Sequence, residues 1–270
     1  MQFEDDSISV NGLNLHYLHW GSLQAAPVLL LHGLCSNAHY WDFFAQSLKP
    51  DYRVLAIDLR GHGDSSRAES YGFKEYIQDL EVFVTRLGIS NITLIGHSMG
   101  GINAIIYAAR HPDQVEKLVV VDIGPEIDTA GAERMHGEWA KEPESFASEE
   151  EVIMYKKQIQ PRYSDAFIRH HVRHSIKKGE DGRLVFKYDK ALFKTELHSP
   201  EWLWEYVKQV ICPTLVVHGE ESDFLLAGAA QRLASTLAFG SVVDIERAGH
   251  SVPGDNPEAF KTAVRRFLSP

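Results

Sequence analysis

Cysteine is scarce in this chain: only Cys35 and Cys212 occur in 270 residues. Two isolated thiols build no disulfide framework, so stability must come from a buried apolar core, and a reducing compartment is expected. No apolar run approaches the ~20 residues that span a bilayer. The acidic opening Met1-Gln2-Phe3-Glu4-Asp5-Asp6 lacks the basic and apolar regions of a signal peptide. Basic runs are missing as well, and a formal net charge of -10 argues against a nucleic-acid partner. Internal repeats, low-complexity tracts and long linkers are absent. Together these absences point to a cytoplasmic protein that meets small molecules, with no membrane span. They leave the oligomeric state open.

What is present is a 44% hydrophobic composition, enough for a sizeable core in a chain whose length suits one α/β unit. Asn11-Gly12, between the alternating stretches Ser7–Val10 and Leu13–Trp20, is a strong hairpin signal, because both residues accept positive φ. Val28–Leu31, Arg53–Ile57, Ile92–Ile95, Lys117–Val121, Thr214–His218 and Val242–Ile245 read as strands, most of them apolar enough to be buried on both faces. Between them, Trp41–Leu48, Phe73–Leu87, Ile102–Arg110, Ala229–Leu237 and Glu258–Leu268 read as helices, with Gly88 as a C-cap. Strands alternating with helices predict a mostly parallel sheet covered on both faces. Residues 126–206 break this alternation with charges, scattered aromatics and helical periodicity, and Ser148 before three glutamates marks a helix start. This stretch is read as a helical insertion in a core of residues 1–125 and 207–270, with Asp128–Gly137 as a loop.

The densest chemical signal is Gly96-His97-Ser98-Met99-Gly100, set between a strand and a helix. A serine there must sit on a sharp turn, which the glycines permit and which pushes its hydroxyl outward at a helix N-terminus. Serine is a weak nucleophile at neutral pH and needs a base. Among fourteen histidines, His250 stands just after the last strand, on the sheet edge that carries Ser98. A carboxylate must hold the imidazole in the right tautomer. Asp223, after the penultimate strand, is favoured, and Asp122, at the end of the strand before the insertion, is the alternative; either keeps the chain order Ser, Asp, His. The backbone amides of Met99 and of Leu34, in His32-Gly33-Leu34, are the expected donors to an oxyanion.

These motifs, with Asp58-Leu59-Arg60-Gly61-His62-Gly63-Asp64-Ser65, His218-Gly219 and Gly249-His250, resemble the α/β-hydrolase fold superfamily over nearly the whole chain outside the insertion. The resemblance implies an eight-stranded sheet and a helical cap, and it keeps Asp122 in contention, because some members place the acid after the sixth strand. Leu34 and Ser222 depart from the common residues at their positions. A serine nucleophile argues against the aspartate-dependent dehalogenases and epoxide hydrolases of this superfamily. The expected activity is hydrolysis of carboxylic esters of small or medium apolar substrates, without a cofactor. Alternatives are a lactonase or carbon–carbon bond hydrolase on the same triad, or a hydrolase-like ligand-binding protein.

Other residues receive plainer readings. Trp139, Trp202 and Trp204 are candidates for an apolar substrate pocket. His170-His171-x-x-His174 has helical metal-ligand spacing, but no carboxylate at zinc-site spacing accompanies it and the mechanism needs no metal, so no metal site is assigned. Cys35 reads as a buried neutral thiol, and His97 and His32 as polar supports. Arg60 and Asp64 read as ion-pairing residues of a structural turn, because the loop lacks the Lys-Ser/Thr ending of a phosphate loop.

Overall fold

A computed structural model of the chain describes residues 3–194 and 199–269. The Asn11-Gly12 turn forms as expected, with φ of 49° and 80°, and joins β1 (Glu4–Val10) to β2 (Leu13–Trp20). The following strands are β3 (Ala26–Leu31), β4 (Tyr52–Ile57), β5 (Ile92–His97) and β6 (Val115–Val121). After the insertion come β9 (Thr214–Gly219) and β10 (Gly240–Ile245), and the eight-stranded sheet runs β1-β2-β4-β3-β5-β6-β9-β10. All pairings from β4 to β10 are parallel, while β1 and β2 extend the edge antiparallel. The sheet order reverses at β3, so the loops after β3 and β5 leave the same end of neighbouring strands. That is where α/β sheets place their sites.

Helices cover both faces. One core layer packs α2 (Phe73–Arg86), α3 (Met99–Arg110) and α8 (Ala227–Thr236) against the sheet through residues such as Phe83, Ile105 and Leu233. The other packs α1 (Asp42–Leu48) and α9 (Pro257–Leu268) through Trp41, Phe44 and Phe260. Strands such as β3 and β5 are apolar on both faces because both faces are buried.

Between β6 and β9 lie α4 (Thr129–Ala140), α5 (Glu149–Ile159), α6 (Asp165–Ser175) and the small hairpin β7 (Ile176–Lys178) with β8 (Leu184–Phe186). This segment has its own cluster around Phe146, Ile153, Val172 and Tyr188. Ser148 caps α5 through the Glu151 amide, as its position predicted. Three differences from the sequence reading stand out. Residues 128–137 are not a loop: Asp128 caps α4 through the Ala130 amide. The segment is not purely helical, since it contains β7 and β8. Its end also lies earlier than residue 206, because Leu203, like Val207 of α7 (Trp204–Val207), joins the core layer under α3.

Candidate active site

The end of β5 makes the decisive turn. Ser98 adopts φ 52° and ψ -123°, a conformation that L-residues occupy only under constraint, and α3 starts at the next residue. The constraint is close packing. A Cβ on Gly96 would lie 2.2 Å from the Gly100 carbonyl oxygen, and one on Gly100 would lie 2.4 Å from that of Leu31. Only glycines let strand and helix meet this tightly. The Ser98 amide donates to Val121 at 3.0 Å, and its carbonyl accepts from Gly101 and Ile102 at 2.7 and 3.1 Å, which fixes the turn from both sides.

The outward Oγ of Ser98 lies 3.0 Å from Nε2 of His250. His250 Nδ1 lies 2.9 Å from Oδ2 of Asp122. Asp122 is fully buried and itself sits at φ 50°. It also accepts from the Gly219 amide at 2.8 Å and from Ser222 Oγ at 2.6 Å, so both oxygens are occupied. Burial pushes the Asp122 carboxyl up, and the donors Ser222 and Gly219 pull against it. Burial brings His250 down to about 4, with the Arg134 guanidinium adding to the effect and Asp223 opposing it. His250 is therefore a neutral imidazole near pH 7, ready to accept a proton.

The carboxylate facing His250 is thus Asp122 and not Asp223, which corrects the preference drawn from the sequence. Asp223 instead takes a bidentate pair from Arg134 of α4, with Nε–Oδ2 at 2.6 Å and Nη2–Oδ1 at 2.8 Å. That pair holds the Asp223 carboxyl below its usual range. The approach of α4 depends on Gly131, where a Cβ would lie 2.3 Å from the Asp223 carbonyl oxygen. Asp223 ties the insertion to the sheet edge, while the Asp122 carboxylate accepts from the Gly219 amide at the end of β9, from Ser222 and from His250.

Ser98 opens into a cavity of about 1190 Å³ bounded by the β3 and β5 loops below and the insertion above. Leu34 lines it, and Met99 begins α3, where a backbone N–H has no intrahelical acceptor. Among the three tryptophans suggested by sequence, Trp139 lines the cavity, stacked 5.3 Å from Phe193. Trp202 is 43% exposed and packs on Phe73, and Trp204 packs against the main core; neither lines the cavity. The wall is less apolar than expected. Arg134, Lys156 and Arg162 share it with Tyr155, Tyr163 and Tyr188, and Lys156 Nζ lies 4.7 Å over the Phe186 ring. No pattern along the chain marked these cations, because the register of α4 and α5 on the cavity, and the course of the turn after α5 that carries Arg162, are set by packing.

The supporting residues fall where their chemistry suggests. His97 Nε2 lies 2.9 Å from the His250 carbonyl oxygen and its ring stacks on Tyr40, and burial brings it down to about 3, too low to compete as the base. His32 braces its loop, with Nδ1 2.7 Å from the Gly33 carbonyl oxygen and Nε2 accepting from the Leu59 amide at 3.0 Å. Burial pushes the Cys35 thiol far up, so it is no thiolate nucleophile. Arg60 pairs with buried Asp79 at 2.7 Å, and Asp64 with Lys187 of the insertion, so each finds its own partner. His171 lines the cavity, 3.4 Å from Ser36, whereas His170 and His174 meet His39 and Asp42.

This geometry can be set beside known proteins. The sequence profile of the α/β hydrolase fold matches residues 26–257. The chain belongs to the α/β-hydrolase fold family. The esterase Rv0045c of Mycobacterium tuberculosis is 30% identical over 264 residues, covering 93% of this chain and 85% of that protein. The mouse sn-1-specific diacylglycerol lipase ABHD11 is 28% identical, covering 92% and 83%. The crystal structure of E-2-(acetamidomethylene)succinate hydrolase superposes with a TM-score of 0.90 at 24% identity, over 99% of both chains, which speaks for the fold alone. As an α/β hydrolase, the protein has esterase and lipase relatives that support hydrolytic chemistry, and no helix among its described residues is long and apolar enough to cross a membrane.

Proposed function

We propose that the protein hydrolyses carboxylic esters through an acyl-enzyme on Ser98, with His250 as general base and acid and Asp122 as the carboxylate that orients it. The observation that carries this reading is the unbroken hydrogen-bonded chain from Ser98 Oγ through His250 to buried Asp122. Ser98 Oγ attacks the ester carbonyl carbon while its proton passes to His250 Nε2. The Asp122 carboxylate accepts the Nδ1–H and stabilises the imidazolium that forms. Charge developing on the carbonyl oxygen meets the amides of Leu34 and Met99, reinforced by the α3 N-terminus. Collapse of the tetrahedral intermediate breaks the bond to the leaving alcohol, which takes the proton from His250. A water activated by the same imidazole then releases the acid and restores Ser98.

The cavity argues for substrates with a polar as well as an apolar part. Trp139, Tyr155 and Tyr188 offer flat apolar contact, and Lys156, Glu138 and Glu142 bring charged groups of both signs into the same space, with Arg134 paired to Asp223 and Glu138. A purely aliphatic ester would leave that polar part of the wall unmatched. The test is turnover of p-nitrophenyl esters from short to long acyl chains, together with esters carrying a distal carboxylate, by wild type and Ser98→Ala. The expected result is rapid hydrolysis that disappears in Ser98→Ala. A folded protein that turns over none of these esters would overturn the reading.

A further inference from the structure

Away from the cavity, four side chains that bind metals well converge between the core and the insertion. His39 lies in the short turn Ala38–Trp41 that follows β3, and Asp42 is the first residue of α1. His170 and His174 lie one turn apart on α6 and present their rings to the same point. One ligand atom from each of the four lies within 4.8 Å of every other. His39 Nδ1 is 2.9 Å and His170 Nε2 2.5 Å from Oδ2 of Asp42. The carboxylate that meets His170 comes from 128 residues away in the chain.

Hydrogen bonding alone leaves this cluster incomplete. Asp42 is fully buried, and its second oxygen, Oδ1, has no hydrogen-bond partner among the described residues. A buried carboxylate oxygen without a donor is uncommon and calls for an explanation such as an ion. His174 makes no hydrogen bond to the described residues, and its ring stacks on His39 at 3.6 Å. The other grouping of this kind, His16, Asp58 and Asp64, differs: both Asp58 oxygens already accept hydrogen bonds, from Ala38, Asp64 and His16.

We infer that His39, Asp42, His170 and His174 form a binding site for a divalent transition-metal ion of the zinc type, joining α6 of the insertion to the core. Three imidazoles and one carboxylate are a borderline-soft set that suits Zn²⁺, and bond lengths of about 2.1 Å place tetrahedral ligand atoms about 3.4 Å apart. To reach that spacing the widest separation, up to 4.8 Å, contracts by up to about 1.4 Å, and the Asp42 contacts at 2.5 and 2.9 Å open by about 0.9 and 0.5 Å. It also needs His174 to tilt off His39 so that both lone pairs meet one ion, a ring rotation open to His174 because it is only partly buried. Phe3 and Phe43 pack edge-on against His39 and His170 and limit water on two sides. The site would be structural, since Ser98 chemistry requires no metal. It would still bear on the cavity, because His171, between the two ligands, and Tyr40, next to His39, both line it.

The test is a competition titration of the metal-stripped full chain with Zn²⁺ against a chromogenic chelator, alongside the visible spectrum with Co²⁺. His250→Ala is included because the histidine beside Ser98 can itself take up Zn²⁺. Wild type and His250→Ala are expected to bind one equivalent with the same affinity. His170→Ala/His174→Ala, checked for folding by circular dichroism, is expected to bind at least tenfold more weakly and to lose the tetrahedral Co²⁺ bands. Should the double variant fail to fold, His174→Ala alone, at a partly exposed position, is expected to lose the rise in melting temperature that Zn²⁺ gives wild type. Absence of binding by wild type would overturn the inference. So would tenfold weaker binding in His250→Ala, or undiminished binding by the folded α6 variants.

Discussion

Replacing Asp122 by asparagine discriminates most sharply between the two carboxylates. The amide has nearly the same volume, so the change is one of charge and proton placement. Oδ2 accepts from His250 Nδ1 and Ser222, and Oδ1 from the Gly219 amide. With NH₂ at the Oδ1 position, donor faces donor at Gly219. With NH₂ at the Oδ2 position, Nδ1 of His250 must become an acceptor, which puts the proton on Nε2, where it cannot take one from Ser98. Loss of the correct tautomer in serine–histidine–aspartate enzymes costs about 10⁴ in kcat, or about 5.4 kcal/mol at 1.36 kcal/mol per decade. Asp223→Asn leaves His250 in place and removes one partner from Arg134, which keeps Glu138 at 2.9 Å. A pair that is about 40% exposed on both sides adds little stability, so its loss should change kcat/KM by less than about tenfold. The assay is steady-state hydrolysis of a p-nitrophenyl ester by both variants, with circular dichroism confirming their folds. A loss of about 10³ or more in Asp223→Asn, with Asp122→Asn within tenfold of wild type, would refute the assignment.

Further outcomes are expected. With His250 drawn down to about 4, ester hydrolysis should hold from pH 7 to about 6 and fall as pH approaches 4, and an acid limb centred above 6.5 would contradict the burial argument. Arg134→Ala removes a positive neighbour of His250 and should move that limb to higher pH, whereas an unmoved limb would show that the guanidinium does not act on the imidazole. His62, His97 and His171 are lowered to about 3, and His174 and His250 to about 4, so between these values and 6.5 the unfolded chain binds more protons than the folded one. Stability should therefore fall as pH drops below about 6.5, read as a melting temperature separately from activity. Gly131→Ala forces α4 off the Asp223 backbone, where its Cβ would sit at 2.3 Å, and should cost about 1–3 kcal/mol in chemical denaturation; a neutral result would mean that α4 yields freely.

The core of the fold is legible in the chain because double burial leaves a plain mark. β3, β4, β5 and β9 read as short apolar runs, and the strict geometry of the Ser98 turn imposes glycines at fixed spacing. His250 is legible by its place after the last strand. The acid is harder, since Asp122 and Asp223 both follow strands on one edge, and only the direction each carboxylate takes separates them. One clue was available: Ser222 stands where aspartate is common in the family, and in the structure its hydroxyl donates to Asp122. The insertion is the least legible part. α4 carries Gly131 and Gly137, which lower helix propensity, yet Gly131 is what lets the helix dock. β7 and β8 are three residues each, too short to show alternation, although Asp181-Gly182 between them is a turn signal. The joining of His170 and His174 to His39 and Asp42 is a tertiary event: local spacing marks the His170–His174 pair but not the partners it meets.

The central claim is that Ser98 carries the acyl group. Its most direct test is intact-mass and peptide mass spectrometry of the protein after reaction with an organophosphate that mimics the tetrahedral intermediate. One adduct, mapped to the peptide containing Ser98, absent from Ser98→Ala and formed with concurrent loss of ester turnover, is the predicted result. An adduct on another residue, or undiminished hydrolysis by Ser98→Ala, would contradict it.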